Sequence, residues 1–164
     1  MAVRKANKFD VPSILELGHN AGLYRANCDI DLYKVDGEVV SFMNTDSSDS
    51  WKDTPRKILT HILAGAGIAY VYEKDKKVVG LIVAIKVPLL WDFNKYLMQE
   101  ILYWIEPEYR GGTAAYRLLQ AYVNECDSLK DNKQIMNYTM SIDANRKLNL
   151  AKLGFKKTEQ VWIQ

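Results

Sequence analysis

The sequence predicts one mixed α/β domain, and three observations predict it. β-Rich runs alternate along the chain with segments whose apolar residues recur at helical spacing. The 164 residues suffice for one domain with a sizeable core. No linker-like stretch divides them, so the domain is expected to span residues 1–164.

The elements follow in order. "AVRKA" at 2–6 is a short alternating strand. Asp10 can cap the helix that follows, and Pro12 is tolerated in its first turn. Ile14, Leu15 and Leu17 give that helix its apolar face. Residues 31–50 show no clear periodicity, and "NTDSSDS" at 44–50 reads as a mobile polar loop. Thr54 then caps a second helix with Pro55 at its first position and Ile58, Leu59, Ile62 and Leu63 as its buried stripe. "IAYVYEKDKKVVGLIVAIKV" at 68–87 is a hairpin around a charged turn. "LLWDFNKY" at 89–96 reads as a second long connection, and "MQEILYWI" at 98–105 as the next strand. Ala115, Leu118, Leu119, Tyr122, Val123 and Cys126 recur at helical spacing. "QIMNYTMSI" at 134–142 is a strand. "DANRKLNLAKLGF" at 143–155 is a helix capped by Asp143 and stopped by Gly154. "KKTEQVWIQ" at 156–164 is the last strand.

Composition narrows the function classes. The apolar share is 48% and the charged share 26%, both ordinary for a globular domain. A net charge of +2 advertises neither a nucleic-acid nor a membrane partner. No apolar run reaches the length of a membrane span, and no start resembles a signal peptide. Cys28 and Cys126 read as reduced thiols, which suits a cytoplasmic protein. His19 and His61 lie far apart on the early helices with no paired cysteines, so no metal site is expected.

"IEPEYRGGTAAYRLLQ" at 105–120 carries the strongest chemical signal. A strand runs into a glycine-rich turn and then a helix. The first N–H groups of a helix lack internal partners, and the macrodipole puts partial positive charge there. Gly111 and Gly112 let a ligand approach the backbone, and Arg110 adds a cation. The arrangement is either a phosphate or pyrophosphate site or a plain tight turn with an incidental arginine. It is not a P-loop, since no G-K-[ST] follows, and it is not the G-x-G-x-x-G fingerprint.

"PEYRGGTAAYRLL" resembles the acetyl-CoA loop of the GCN5-related N-acetyltransferases (GNAT), with Arg110 at its first position and Ala115 at its last. Thr113 stands where that family usually has glycine. "MQEILYWIEPEYRGG" looks like the family's fourth strand and loop, especially in small members encoded by bacteriophages. "DANRKLNLAKLGF" resembles its late helix, with Asn145, Lys152, Gly154 and Phe155 carrying the likeness. The resemblance implies a mixed, mostly antiparallel sheet splayed between its fourth and fifth strands, with helices on both faces. It also implies acetyl-CoA as co-substrate. The pantetheine arm would pair with backbone near Trp104 and Ile105 and face Asn145, and the pyrophosphate would rest on Gly111, Gly112, Thr113, Ala114 and Ala115. Thr113 is β-branched, so the loop must keep an ordinary φ there or carry strain.

Acetyl transfer to an amine needs a base, because an ammonium has no lone pair with which to attack. Glu100, on the strand that would carry the thioester, is the candidate, with a solvated strand carboxylate as its alternative; Gln99 faces the other way, and Glu106 and Glu108 read as solvated. The family's usual general-acid tyrosine falls at Leu150, which cannot donate a proton. Tyr138 is the candidate replacement, with a packed sheet tyrosine as its alternative. Ser141 reads as a cap or turn residue. Trp51, Trp91, Phe93 and Tyr96 either line the acceptor pocket or pack the long connections.

The expected function is direct transfer of acetyl from acetyl-CoA to a primary amine, on a small molecule or a protein, in a ternary complex. One alternative is a CoA-binding accessory protein of phage origin that lacks turnover. Another is a different nucleotide or phosphate binder. The setting would be the cytoplasm, the host's if the chain is phage-encoded. The oligomeric state is open, a homodimer among the options.

Overall fold

The computed structural model describes residues 2–27, 34–35, 38–39, 53–141 and 148–159. Among these residues the main sheet has five strands in the order β1-β4-β5-β6-β7. β1 (Ala2–Lys5), β4 (Gly67–Lys74), β5 (Lys77–Leu89) and β6 (Asp92–Ile105) pair antiparallel with their sheet neighbours, whereas β7 (Asn137–Thr139) joins β6 in parallel. β2 (Lys34–Val35) and β3 (Glu38–Val39) form a separate two-stranded ladder.

Helices cover both faces, because the strands alternate their side chains between two cores. On one face α1 (Val11–Asn27) and α2 (Asp53–His61) bury Ile14, Leu15, Leu17 and Leu59 against Ala69, Val71, Leu81, Val83 and Trp104. On the other, α3 (Ala114–Asp131) buries Leu118, Leu119, Tyr122, Val123 and Cys126 against Ile68, Tyr72, Ile82, Met98 and Tyr103. The helical spacing read for α3 matches this buried face at Leu118, Leu119, Tyr122, Val123 and Cys126; at its start the buried residue is Ala114, and Ala115 is only partly buried.

Several boundaries differ from the sequence expectation. The β4–β5 turn is only Asp75 and Lys76, both at positive φ (51° and 63°), so the hairpin closes in two residues. Residues 89–96 are not a long connection. β5 runs to Leu89, turns over Leu90 and Trp91, and returns as β6 from Asp92. Turn-forming residues suggested a loop, but Pro88 is accommodated opposite Tyr96, and Asp92 Oδ1 accepts the Asn94 N–H at 3.1 Å. Within 143–155 the described part is a single 3-10 turn, Leu150–Leu153, rather than an α-helix; Asn149 caps it and Gly154 ends it at φ +83°. Residues 156–159 are in no strand. Asp143, Asn145, Trp51, Cys28 and the 44–50 segment lie outside the described residues.

Asp10 is not the cap of α1. A 3-10 turn, Lys8–Asp10, precedes that helix; Asn7 caps the turn and Asp10 closes the capping box by accepting the Asn7 N–H at 2.8 Å. Asp10 is buried and takes both arms of Arg4, at 2.9 Å each. Arg4 also reaches Glu73 on β4, so one cation ties the sheet edge to the entry of α1. The Arg4 bonds hold the Asp10 carboxyl below the usual carboxylate range. Asp10→Ala is expected to cost about 1–3 kcal/mol, read as a lower Tm, because it strands the Asn7 donor and removes both Arg4 bonds to Asp10. A folded pKa below the unfolded one means this contribution is full above the ordinary carboxylate pKa. It is lost as pH falls through the lowered folded value. An unchanged Tm–pH curve for the variant would contradict this.

Candidate functional site

The site grows from the end of β6. Among the described residues, β6 and β7 pair only over Leu97–Gln99 and Asn137–Thr139, while β6 continues to Ile105. The sheet therefore forks between its fourth and fifth strands. Across from Ala84, the β5–β6 register skips Ile101, which bulges out and is 47% exposed. Glu100 and Ile105, five residues apart, would lie on opposite faces of a regular strand. The bulge puts both on the α3 face, with Met98 and Tyr103.

The antiparallel ladder also settles which peptide groups face the fork. Leu81 pairs with Trp104, and the Glu106 N–H donates to Val79 O at 2.9 Å. Peptides at 104 and 106 thus bond toward β5, and those of Tyr103 and Ile105 turn toward β7. Of Trp104 and Ile105, the two strand residues named from the sequence, Ile105 turns its peptide groups toward the β7 side, as Tyr103 does, and Trp104 turns its own toward β5. Sequence alternation alone could not find Tyr103, because the phase depends on the strand register.

A 3-10 turn, Pro107–Tyr109, leads from β6 into the loop. Gly111 sits at φ +93°, a conformation that favours glycine. Thr113 keeps an ordinary φ of −86° with ψ 0°, so its Cβ costs no strain, and its hydroxyl makes no capping bond. α3 then starts at Ala114 with no acidic residue in its first turn. The space above Gly111 and Gly112 is open: a Cβ at either would meet nothing within 4 Å. Uncapped helix N–H groups under an open glycine backbone make an anion cradle. Ala114 contributes backbone alone, since its side chain is buried, and the Ala115 carbonyl accepts the Tyr103 hydroxyl at 2.8 Å. Arg110 is turned back toward the strand. Its Nε donates to Ile105 O at 2.8 Å, and its guanidinium lies 4.4 Å over the Trp104 ring. The loop's cation is thereby fastened to the cleft-facing end of β6.

Glu100 is 6% exposed, one of two buried charged residues among those described. Its Oε2 accepts the Ser141 N–H at 3.1 Å. Tyr138 faces the same side, but its hydroxyl donates to Asp127 Oδ1 at 2.7 Å and its ring packs edge-on against Tyr122 and Phe155. Burial and the Asp127 bond push the Tyr138 phenol up. Leu150 packs against the α3-side core. Glu106, expected to be solvated, is half-buried and accepts from Asn20 Nδ2 at 2.5 Å. Burial pushes the Cys126 thiol up to about 12, so it is an inert core residue. Trp91 (82% exposed) and Phe93 (69%) stand at the β5–β6 turn, roughly 40 Å along the strand from the loop. That separation removes them from the neighbourhood of the anion cradle. Among the described residues, no three His, Cys, Asp or Glu side chains group to hold a metal, and no helix is long and apolar enough to cross a membrane.

The profile of the acetyltransferase (GNAT) family matches residues 32–155, three quarters of the chain. The chain belongs to the GNAT acetyltransferase family. No curated protein matches it. Solved structures do. A predicted acetyltransferase from Clostridium acetobutylicum, solved with acetyl-CoA, superposes at TM-score 0.69 and 15% identity, covering 99% of this chain and 94% of that one. Glucosamine-6-phosphate N-acetyltransferase from Arabidopsis thaliana gives 0.65 and 12%, over 99% and 96% of the chains. An aminoglycoside acetyltransferase from an uncultured soil metagenomic sample, solved with sisomicin, gives 0.59 and 13%, over 99% and 92%. At such identities the likeness is one of fold. The GNAT fold accounts for the forked sheet and for a loop entering α3 directly from β6. In this GNAT chain the loop departs from the usual glycine at Thr113, and its observed φ shows the departure to be compatible with an open backbone cradle.

Proposed function

We propose that this chain is an N-acetyltransferase that moves acetyl from acetyl-CoA to a primary amine by direct transfer in a ternary complex. The observation that carries the reading is the continuity of fork and cradle. The end of β6 turns backbone groups toward the opening, and the same strand delivers the chain into an uncapped helix N-terminus beneath open glycines. The cradle of Gly111, Gly112, Thr113, Ala114 and Ala115 suits a pyrophosphate, and the peptides of Tyr103 and Ile105 suit the amides of a pantetheine arm. Asn145 keeps its sequence-based assignment beside that arm.

Glu100 is the base in this reading. It takes a proton from the ammonium, directly or through water; the freed amine attacks the thioester carbonyl, the C–N bond forms and the C–S bond breaks. Tyr138 is the acid candidate on the same face. It can serve only by exchanging its bond to Asp127 for one to the departing thiolate. Two of the solved structures named above are a glucosamine-6-phosphate N-acetyltransferase and an aminoglycoside acetyltransferase, and a small polar amine or a protein amine is the acceptor class here. The setting is the cytoplasm, that of a host cell if the resemblance to phage-encoded members reflects origin.

A second reading rests on the sequence resemblance, in which the family's usual general-acid tyrosine falls at Leu150, a partly buried side chain packed against the α3-side core. It makes the chain a CoA-binding accessory protein without turnover. Both readings require CoA binding, which thermal shift tests against ATP and NAD. CoA at a hundredfold excess over its Kd stabilises by about 2.7 kcal/mol, a rise of several degrees in Tm. Equal shifts with ATP or NAD, or none with CoA, would contradict the reading. Arg110→Ala is expected to weaken CoA by about 1.5–3 kcal/mol if the guanidinium turns from Ile105 to a phosphate oxygen, as calorimetry would measure. A change below that range would show that Arg110 only fastens the loop.

A further inference from the structure

Tyr122 has no part in the chemistry above, yet its hydroxyl lies at the fork. It is fully buried (0% exposed), and its O–H donates to the Thr139 carbonyl at 2.8 Å. Thr139, opposite Gln99, is the last residue of β7 paired with β6. One residue earlier, the Tyr138 hydroxyl reaches Asp127 on the same helix. Two residues later, the Ser141 N–H is taken by the Glu100 carboxylate of β6. Where the β6–β7 ladder stops, the departing strand is therefore hydrogen-bonded to side chains from α3 and β6. Backbone groups held in this way are drawn away from continued ladder pairing.

The geometry points to Tyr122 as a positioning residue that, together with Glu100, holds the chain leaving β7 at residues 140–141 off β6 and sets the mouth of the cleft. The inference rests on the CoA reading and deepens it: the clamp governs the space for the pantetheine arm and leaves the pyrophosphate cradle untouched. Glu100 then has two separable duties. Proton acceptance needs the carboxylate, whereas holding Ser141 needs only an acceptor oxygen.

Two ligands separate the clamp from general stability. CoA fills both cleft and cradle; 3′-phosphoadenosine 5′-diphosphate lacks the pantetheine arm and engages the cradle alone. Tyr122→Phe keeps the ring and removes the O–H. Calorimetry is expected to show CoA affinity falling about tenfold, the scale of one hydrogen bond, with unchanged affinity for the diphosphate. Glu100→Ala is expected to show the same split. Glu100→Gln, whose amide oxygen still accepts from Ser141, is expected to keep both affinities. Equal losses for the two ligands, or unchanged CoA affinity in Tyr122→Phe and Glu100→Ala, would overturn the inference. A wild-type protein that binds neither ligand would overturn the CoA reading itself, a result distinct from either of these.

Discussion

Glu100→Gln is expected to lower kcat by about 100- to 10,000-fold, the usual worth of a general base, and to leave CoA affinity at the wild-type level. The substitution preserves shape and keeps an oxygen for the Ser141 N–H, so the fork holds while proton acceptance is lost. The acidic limb of the pH–rate profile changes as well. If Glu100 is the base, two events slow the wild-type reaction as pH falls: the base protonates, and so does the acceptor amine. In the variant only the second remains, so the limb follows the pKa of whichever amine is supplied. Comparing two amines of different basicity separates the two events. Wild-type kcat across the pH range would make Glu100 a bystander, with the amine arriving neutral or losing its proton to water.

Gly112→Glu is expected to abolish CoA binding. The position has an ordinary φ and open space beyond it, so the backbone takes the new side chain without strain and the protein folds. The carboxylate then occupies and repels the place where a pyrophosphate would sit. Gly111 would be a poorer probe, because its φ of +93° makes any other residue strained and confuses loss of binding with loss of structure. Wild-type CoA affinity in a folded Gly112→Glu protein would remove the site from this loop.

Much of this was legible in the sequence, for identifiable reasons. The α3 face showed because Leu118, Leu119, Tyr122 and Cys126 recur at the helical period over a long segment. The loop showed because glycine and arginine sit at a strand–helix junction. The β5–β6 turn was hidden by Asp92, Asn94 and Pro88, residues that read as loop until cross-strand pairing is known. Two features at the site were hidden for a deeper reason. The bulge at Ile101 shifts the phase of β6, and the alternation of peptide groups depends on that phase, so Tyr103 gave no signal of its own. Tyr122 read correctly as a core residue, but its hydroxyl bond to Thr139 joins elements whose contact only the fold reveals. Asp10 read as a cap for the right physical reason, a carboxylate at a helix entry. Its partner Arg4, on the preceding strand, could not be seen from periodicity.

The central claim is that this forked sheet and glycine cradle carry acetyl transfer. Its most direct test is release of the CoA thiol from acetyl-CoA in the presence of a panel of primary amines: polyamines, amino sugars, aminoglycosides and lysine peptides. The account predicts thiol release that depends on at least one amine, matched by the acetylated amine in the mass spectrum and lost in Glu100→Gln. CoA binding without amine-dependent thiol release from any of these classes would contradict it and leave an accessory protein that holds CoA without turning it over.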